Sequence, residues 1–140
     1  MKSRILLDSG PLVAFLNDRE DHHEWVRAQV SAMPAPLVTC EPVLAEACYL
    51  LRRTRGGSGA VVSLLERGLL KVGMSAEHEA VALGRLLARY RNVPMSLADA
   101  CLVRMTELES RSVVLTLDSD FLIYRRNGRQ VIPTIMPRRH

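Results

Sequence analysis

Five acidic residues stand apart in this sequence because they occur where charge is costly. Of the fifteen Asp and Glu residues, ten fall in polar loops, at helix starts or on polar helix faces. Asp8, Glu46, Asp99, Asp118 and Asp120 instead close apolar runs or share a face with apolar side chains. A carboxylate so placed raises the free energy of the fold unless it is paired, protonated or bound to a cation.

Each has a plain structural use as well. Asp8 ends the run Arg4-Ile5-Leu6-Leu7 ahead of Ser9-Gly10-Pro11, where an aspartate can cap the helix that follows. Glu46 has Val43, Tyr49 and Leu50 as its helical neighbours, so it is expected on a partly buried face, with Arg53 two turns on as an ion-pair partner. Ser96-x-x-Asp99 fits a capping box, yet Leu102 and Val103 lie one turn further along the same face. Asp118 and Asp120, in Thr116-Leu117-Asp118-Ser119-Asp120-Phe121, suit an Asx turn at the end of a strand.

If the strands are parallel, these acids meet at one edge of a sheet. Converging anions require shared protons or divalent cations. An all-oxygen donor set selects a hard ion such as Mg2+ or Mn2+, because the only histidines are His22, His23, His78 and His140 and no Cys cluster accompanies them. Such an ion beside arginines suits hydrolysis of a phosphodiester by water.

The elements that must position these acids follow from periodicity. An apolar strand over Arg4–Leu7 turns at Ser9-Gly10, with Pro11 at the start of a short helix to Leu16; a second helix covers about His22 to Met33. Leu37-Val38-Thr39 is a short strand, Pro42 opens a helix to about Arg53, and Arg55-Gly56-Gly57-Ser58-Gly59 is a loop before a helix from Ala60 to Arg67. An apolar run over Leu69–Val72 precedes two long helices, Ser75–Tyr90 and Ser96–Glu109. Strands over Val113–Leu117 and Val131–Ile135 complete the pattern. The alternation predicts an α/β three-layer sandwich, a central mostly parallel sheet flanked by helices, with ligands bound beyond the carboxyl ends of the strands.

Composition narrows the class. The chain has 140 residues, 48% of them hydrophobic, which is one domain over 1–140 able to bury roughly 70% of its unfolded surface without staples. Cys40, Cys48 and Cys101 read as reduced core thiols of a cytoplasmic protein, and an acid at position 8 argues against a signal peptide. Basic charge comes from 17 Arg against 2 Lys, with a net charge of +4. Guanidinium excess favours a polyanionic partner such as nucleic acid, and Arg52, Arg53, Arg55, Arg125 and Arg126 are candidates to hold its backbone.

The stretches Ile5-Leu6-Leu7-Asp8-Ser9-Gly10, Pro42-Val43-Leu44-Ala45-Glu46, Met95-Ser96-Leu97-Ala98-Asp99-Ala100 and Thr116–Phe121, in that order, resemble the PIN-domain ribonucleases, and among them the VapC-type toxins of toxin–antitoxin pairs. The resemblance covers essentially the whole chain. It implies an acidic catalytic site of Asp8, Glu46, Asp99 and Asp118, with Asp8, Asp99 and Asp118 holding Mg2+ or Mn2+ and Glu46 positioning water or a second ion. Ser9 and Thr116 are implied as supporting polar groups and Asp120 as an auxiliary acid. An RNA substrate, a small antitoxin occupying the cleft and a homodimer are implied as partners.

Two rivals remain at this stage. A phospho-aspartate receiver or an aspartate-nucleophile phosphatase also puts aspartate at a strand end, but those resemblances demand a late lysine, and the last one here is Lys71. A non-catalytic RNA- or partner-binding module with a PIN-like fold is the other, and the intact acid set counts against it.

Overall fold

The computed structural model describes residues 3–138; Met1, Lys2, Arg139 and His140, which the sequence reading includes in one domain over 1–140, lie outside the described residues. The chain runs β1 (Arg4–Leu7), α1 (Ser9–Leu16), α2 (His23–Ser31), β2 (Leu37–Thr39), α3 (Glu41–Leu50), α4 (Gly57–Glu66) and β3 (Leu70–Val72). It continues through α5 (Ala80–Arg89), α6 (Leu97–Leu108), β4 (Ser112–Leu115), a 3-10 turn (Ser119–Leu122), β5 (Arg125–Arg126), β6 (Gln130–Val131) and β7 (Thr134–Ile135).

Five strands form a parallel sheet in the order β3-β2-β1-β4-β7, and the helices flank it in the three-layer arrangement the alternation predicts. Leu6 of β1 is in register with Val38 of β2 and with Val114 of β4, and all three side chains are buried. Such residues are apolar on both faces because helices cover both, which is why the strands read as continuous apolar runs. The chain builds outward from β1 to β2 and β3, then returns to place β4 on the other side of β1. The order therefore reverses between β1 and β4, where an open parallel sheet has its ligand crevice.

α6 is the central helix. Its residues Ala98 to Val103, with Met105 and Thr106, are all buried, so its N-terminus is fixed against the carboxyl edge of the sheet. The absence of an amphipathic stripe in Leu97-Ala98-Asp99-Ala100-Cys101-Leu102 is the sequence mark of that position. Gly73, just past β3, is held by close packing: a Cβ there would collide with the Val38 side chain and press on Met105 of α6. Cys40 and Cys101 are free and buried; the hydrogen bond between their side chains and burial push the Cys40 thiol up, so it stays protonated.

Several boundaries differ from expectation for identifiable reasons. α1 starts at Ser9, so Pro11 is its third residue, and Gly10 lies inside the helix instead of in a tight turn, facing the Leu117 side chain. α4 begins at Gly57, inside the expected loop, with Gly56 at φ 92° turning the chain into it. α5 begins at Ala80, not Ser75, because residues 76–79 form turns. The expected strand over Val131–Ile135 is divided at Ile132-Pro133, since proline has no N–H to donate to a ladder. Its first part, β6, pairs antiparallel with β5, across a turn in which Asn127 and Gly128 have φ of 53° and 84°.

Candidate metal centre

The switch point between β1 and β4 gathers three carboxylates. Asp8 follows β1 directly, Asp118 lies three residues beyond the end of β4, and Asp99 is in the first turn of α6. One carboxylate oxygen from each falls within 4.8 Å of the others. Asp8 and Asp99 are buried at 4% and 8% exposure, and Asp118 is half-buried.

Local structure explains how the chain tolerates them. Asp8 caps α1: its Oδ1 accepts the Ser9 N–H at 2.8 Å, while its Oδ2 accepts the Thr116 hydroxyl at 2.7 Å. Asp99 closes a capping box with Ser96: Ser96 Oγ accepts the Asp99 N–H at 3.0 Å, and Asp99 Oδ2 accepts the Ser96 N–H at 3.3 Å. Asp118 Oδ1 accepts the Asp120 N–H at 2.9 Å, the expected Asx turn, and so caps the 3-10 turn. All three acids therefore face the positive end of a helix or turn, which partly offsets their charge. Capping and convergence are two results of one placement.

The offset is incomplete. Burial raises the Asp8 carboxyl from its ordinary 3.8 to about 6; hydrogen bonds from Thr116 and Ser9 oppose the rise, and the charges of Asp99 and Asp118 add to it. Burial also raises Asp99 above the usual carboxylate range, opposed by hydrogen bonds from Ser96 and Tyr124 and reinforced by Asp118. A bound cation would relieve both effects at once. Three oxygen donors at this spacing, free of sulfur and imidazole, fit a hard divalent ion such as Mg2+ or Mn2+.

The other sequence candidates divide. Thr116 is fully buried and links two of the acids, since its hydroxyl donates to Asp8 and accepts the Asp118 N–H at 2.9 Å. Ser9 contributes its backbone N–H to Asp8. Asp118, not Asp120, belongs to the trio; Asp120 is half-buried nearby, close enough to raise the Tyr124 hydroxyl's pKa alongside Asp99 and Asp118.

Glu46 is a correction. It was expected on a partly buried face, yet it is exposed and outside the trio, beside Tyr49 at 62% and Leu50 at 49% exposure. α3 buries the stripe Val43, Ala47 and Leu51, and with 3.6 residues per turn Glu46 falls about 100° from Ala47. It makes no ion pair with Arg53 among the described residues. Leu50, one turn along the same face, lines a depression with Gly10, Val13 and Leu117, so this side of α3 borders the chain segments that carry Asp8 and Asp118.

The arginine candidates divide as well. The Arg52 guanidinium lies 4.0 Å above the Tyr49 ring and donates to the Tyr49 carbonyl. Arg125 donates to the carbonyls of Leu122, Ile123 and Tyr124, and Arg126 to that of Ser110, so both are occupied with main-chain carbonyls. Arg53 and Arg55 remain exposed.

One residue of the site was not anticipated. Tyr124 is fully buried and its hydroxyl donates to Asp99 Oδ2 at 3.0 Å, while its ring meets Tyr90 and Phe121 edge-on at 5.1 and 5.2 Å. The weak signal was the pair Phe121 and Tyr124, spaced one turn apart directly after the late aspartates.

Comparison with known proteins agrees with this geometry. The structure is similar to that of the Mycobacterium tuberculosis toxin VapC20, which cleaves the sarcin-ricin loop, with a TM-score of 0.75 over 92% of this chain and 99% of that one at 20% identity. No curated protein matches the sequence. The family model for the PIN domain matches residues 5–127, a span that takes in the trio, α3 with Glu46 and the 3-10 turn. With its acids at the switch point of a parallel sheet and its sequence matched across that span, the chain belongs to the PIN domain family.

Proposed function

We propose that this PIN domain is a Mg2+- or Mn2+-dependent endoribonuclease, the toxin component of a type II toxin–antitoxin pair. The observation that supports this most is the trio of Asp8, Asp99 and Asp118 at the β1/β4 crevice, three oxygen donors within 4.8 Å of one another, two of them buried where a cation would offset the cost of their charge. The fold shared with a toxin described as cleaving the sarcin-ricin loop adds support for the substrate class.

In this reading Asp8, Asp99 and Asp118 hold the ion and Thr116 and Tyr124 orient two of them. When bound, the ion supplies Lewis acidity at water and at the phosphate oxygens. Glu46, exposed on α3, would position water or a second ion; Asp120 is an auxiliary acid and the Ser9 N–H fixes the Asp8 rotamer. No side chain acts as nucleophile.

The whole reading includes one domain over 1–140, a cytoplasmic setting, a homodimer and a small antitoxin whose segment blocks the crevice. No helix among the described residues is long and apolar enough to cross a membrane. The test is incubation of purified protein with structured RNAs, with Mg2+ or Mn2+ and with chelator, beside Asp99→Asn. Cleavage by wild type plus metal alone is expected. RNA bound equally well with and without metal, and never cut, would favour the alternative, a non-catalytic RNA-binding module.

A further inference from the structure

At the far end of α1 from Asp8 the surface carries a second charged feature of opposite sign. A groove of about 630 Å³ is lined by Arg19 of the α1–α2 loop, Arg27 of α2, and Arg53 and Arg55 of the α3–α4 connection, with Asp18 as its one carboxylate. The four guanidinium groups come from three separate segments, all are exposed, and none makes an ion pair among the described residues. By contrast, Arg104 is paired with Glu79 at 2.7 Å and with Glu107 at 3.1 Å. Four arginines against one carboxylate leave the groove with an excess of positive charge, opposite in sign to the acidic trio.

A buried group adds to the lining. His23, only 8% exposed, lines the groove, and its Nδ1 donates to the Ala14 carbonyl at 2.6 Å. The histidine ties α2 to α1, and the guanidinium forks supply the donors that match the oxygens of phosphate.

Position links the groove to the trio. Asp8 caps the first turn of α1, while Leu16 and Asn17 at the far end of that helix line the groove. Eight residues of helix span about 12 Å. At about 3.4 Å of rise per nucleotide, that distance corresponds to three or four nucleotides of a stacked strand.

We propose that this arginine groove is a phosphate-binding site for the RNA backbone, holding a segment three or four nucleotides from the bond that is cut. The inference rests on the reading of the trio as an RNA-cleaving centre, and it assigns to Arg19, Arg27, Arg53 and Arg55 affinity without base selectivity.

The test is binding of a short fluorescein-labelled single-stranded RNA to the full chain in EDTA, by anisotropy across a salt series. For single strands the logarithm of affinity falls by about 0.7 per phosphate contact for each decade of salt. Arg53→Gln/Arg55→Gln is thus expected to weaken binding about 25-fold at about 0.1 M salt and to make the slope shallower by about 1.4. Arg19→Gln/Arg27→Gln, on different elements, is expected to do the same. Arg67→Gln/Arg111→Gln removes the same charge at exposed positions preceding β3 and β4, on the amino edge of the sheet. Screening should hold its effect within about twofold.

Thermal melts confirm that each variant is folded. Equal weakening by groove and control pairs would overturn the proposal, as would unchanged RNA binding in folded groove variants. Groove variants that keep RNA but lose a poly-glutamate peptide would overturn it in favour of an acidic protein partner. Because metal is absent, loss of binding in the groove variants supports the site even if cleavage later fails, and that failure would count against the nuclease reading alone.

Discussion

Asp8→Asn should stabilise the metal-free protein while abolishing its response to metal. The Asp8 carboxyl titrates at about 6 in the folded chain and at 3.8 when unperturbed. Between those values the folded state binds more protons than the unfolded state, so stability falls as pH rises through that window and the full cost is present above it. At 1.36 kcal/mol per pH unit the penalty at pH 7 is roughly 3 kcal/mol. Asparagine keeps an oxygen for the Ser9 N–H and carries no charge but no longer accepts the Thr116 hydroxyl, a loss of about 1 kcal/mol, so it should recover about 2 kcal/mol, a rise of about 6 °C in Tm. The assay is denaturant unfolding of wild type and variant in EDTA from pH 3.5 to 8. The gap between them should open across the stated window and close or reverse below it. A variant less stable than wild type at pH 7, or a gap independent of pH, would refute the claim that desolvation of this carboxylate is the dominant cost.

Other outcomes follow from the same contacts. Tyr124→Phe keeps the buried ring but removes the donor to Asp99, and should cost about 2 kcal/mol in urea unfolding, with weaker binding of Mn2+ by calorimetry; unchanged values for both would show that the hydroxyl does not hold the acid. Gly73→Ala forces a methyl into Val38 and Met105 and should cost about 1–3 kcal/mol by thermal melt, without altering the order in which metals stabilise the fold. Added Mg2+ or Mn2+ should raise the Tm of wild type, by about 2.7 kcal/mol of stability at a hundredfold excess over Kd, and leave Asp99→Asn unmoved in differential scanning fluorimetry.

The parallel sheet and its trio were legible because both rest on local pattern. Short apolar runs ending in aspartate identify strands β1 and β4 with their carboxyl-end acids, and the apolar wrap of α6 identifies it as central, with Asp99 pointing to the same edge. Choice between Asp118 and Asp120 was not legible. It depends on which of two residues caps a single turn, and that is set by the Thr116 hydroxyl 2.9 Å from the Asp118 N–H. Glu46 was misplaced in burial because its apolar neighbours Tyr49 and Leu50 are themselves exposed; apolar residues on a helix mark the core only when the stripe continues, as Val43, Ala47 and Leu51 do. Tyr124 and the arginine groove were hidden for a different reason. Each is assembled from segments distant in sequence, and the partners of Arg52, Arg125 and Arg126, which do not line the groove, are main-chain carbonyls that leave no mark in composition.

The central claim is that Asp8, Asp99 and Asp118 together hold a hard divalent cation. Crystals of the protein soaked in Mn2+, with diffraction collected at the manganese absorption edge, test it directly. The account predicts one anomalous peak or a close pair bounded by oxygens of these three carboxylates at about 2.0–2.6 Å, lost in Asp99→Asn and weakened in crystals held below about pH 6, where Asp8 takes up its proton. A trio that stays free of anomalous density at millimolar Mn2+ and neutral pH, or an ion bound elsewhere with the three carboxylates unengaged, would contradict it.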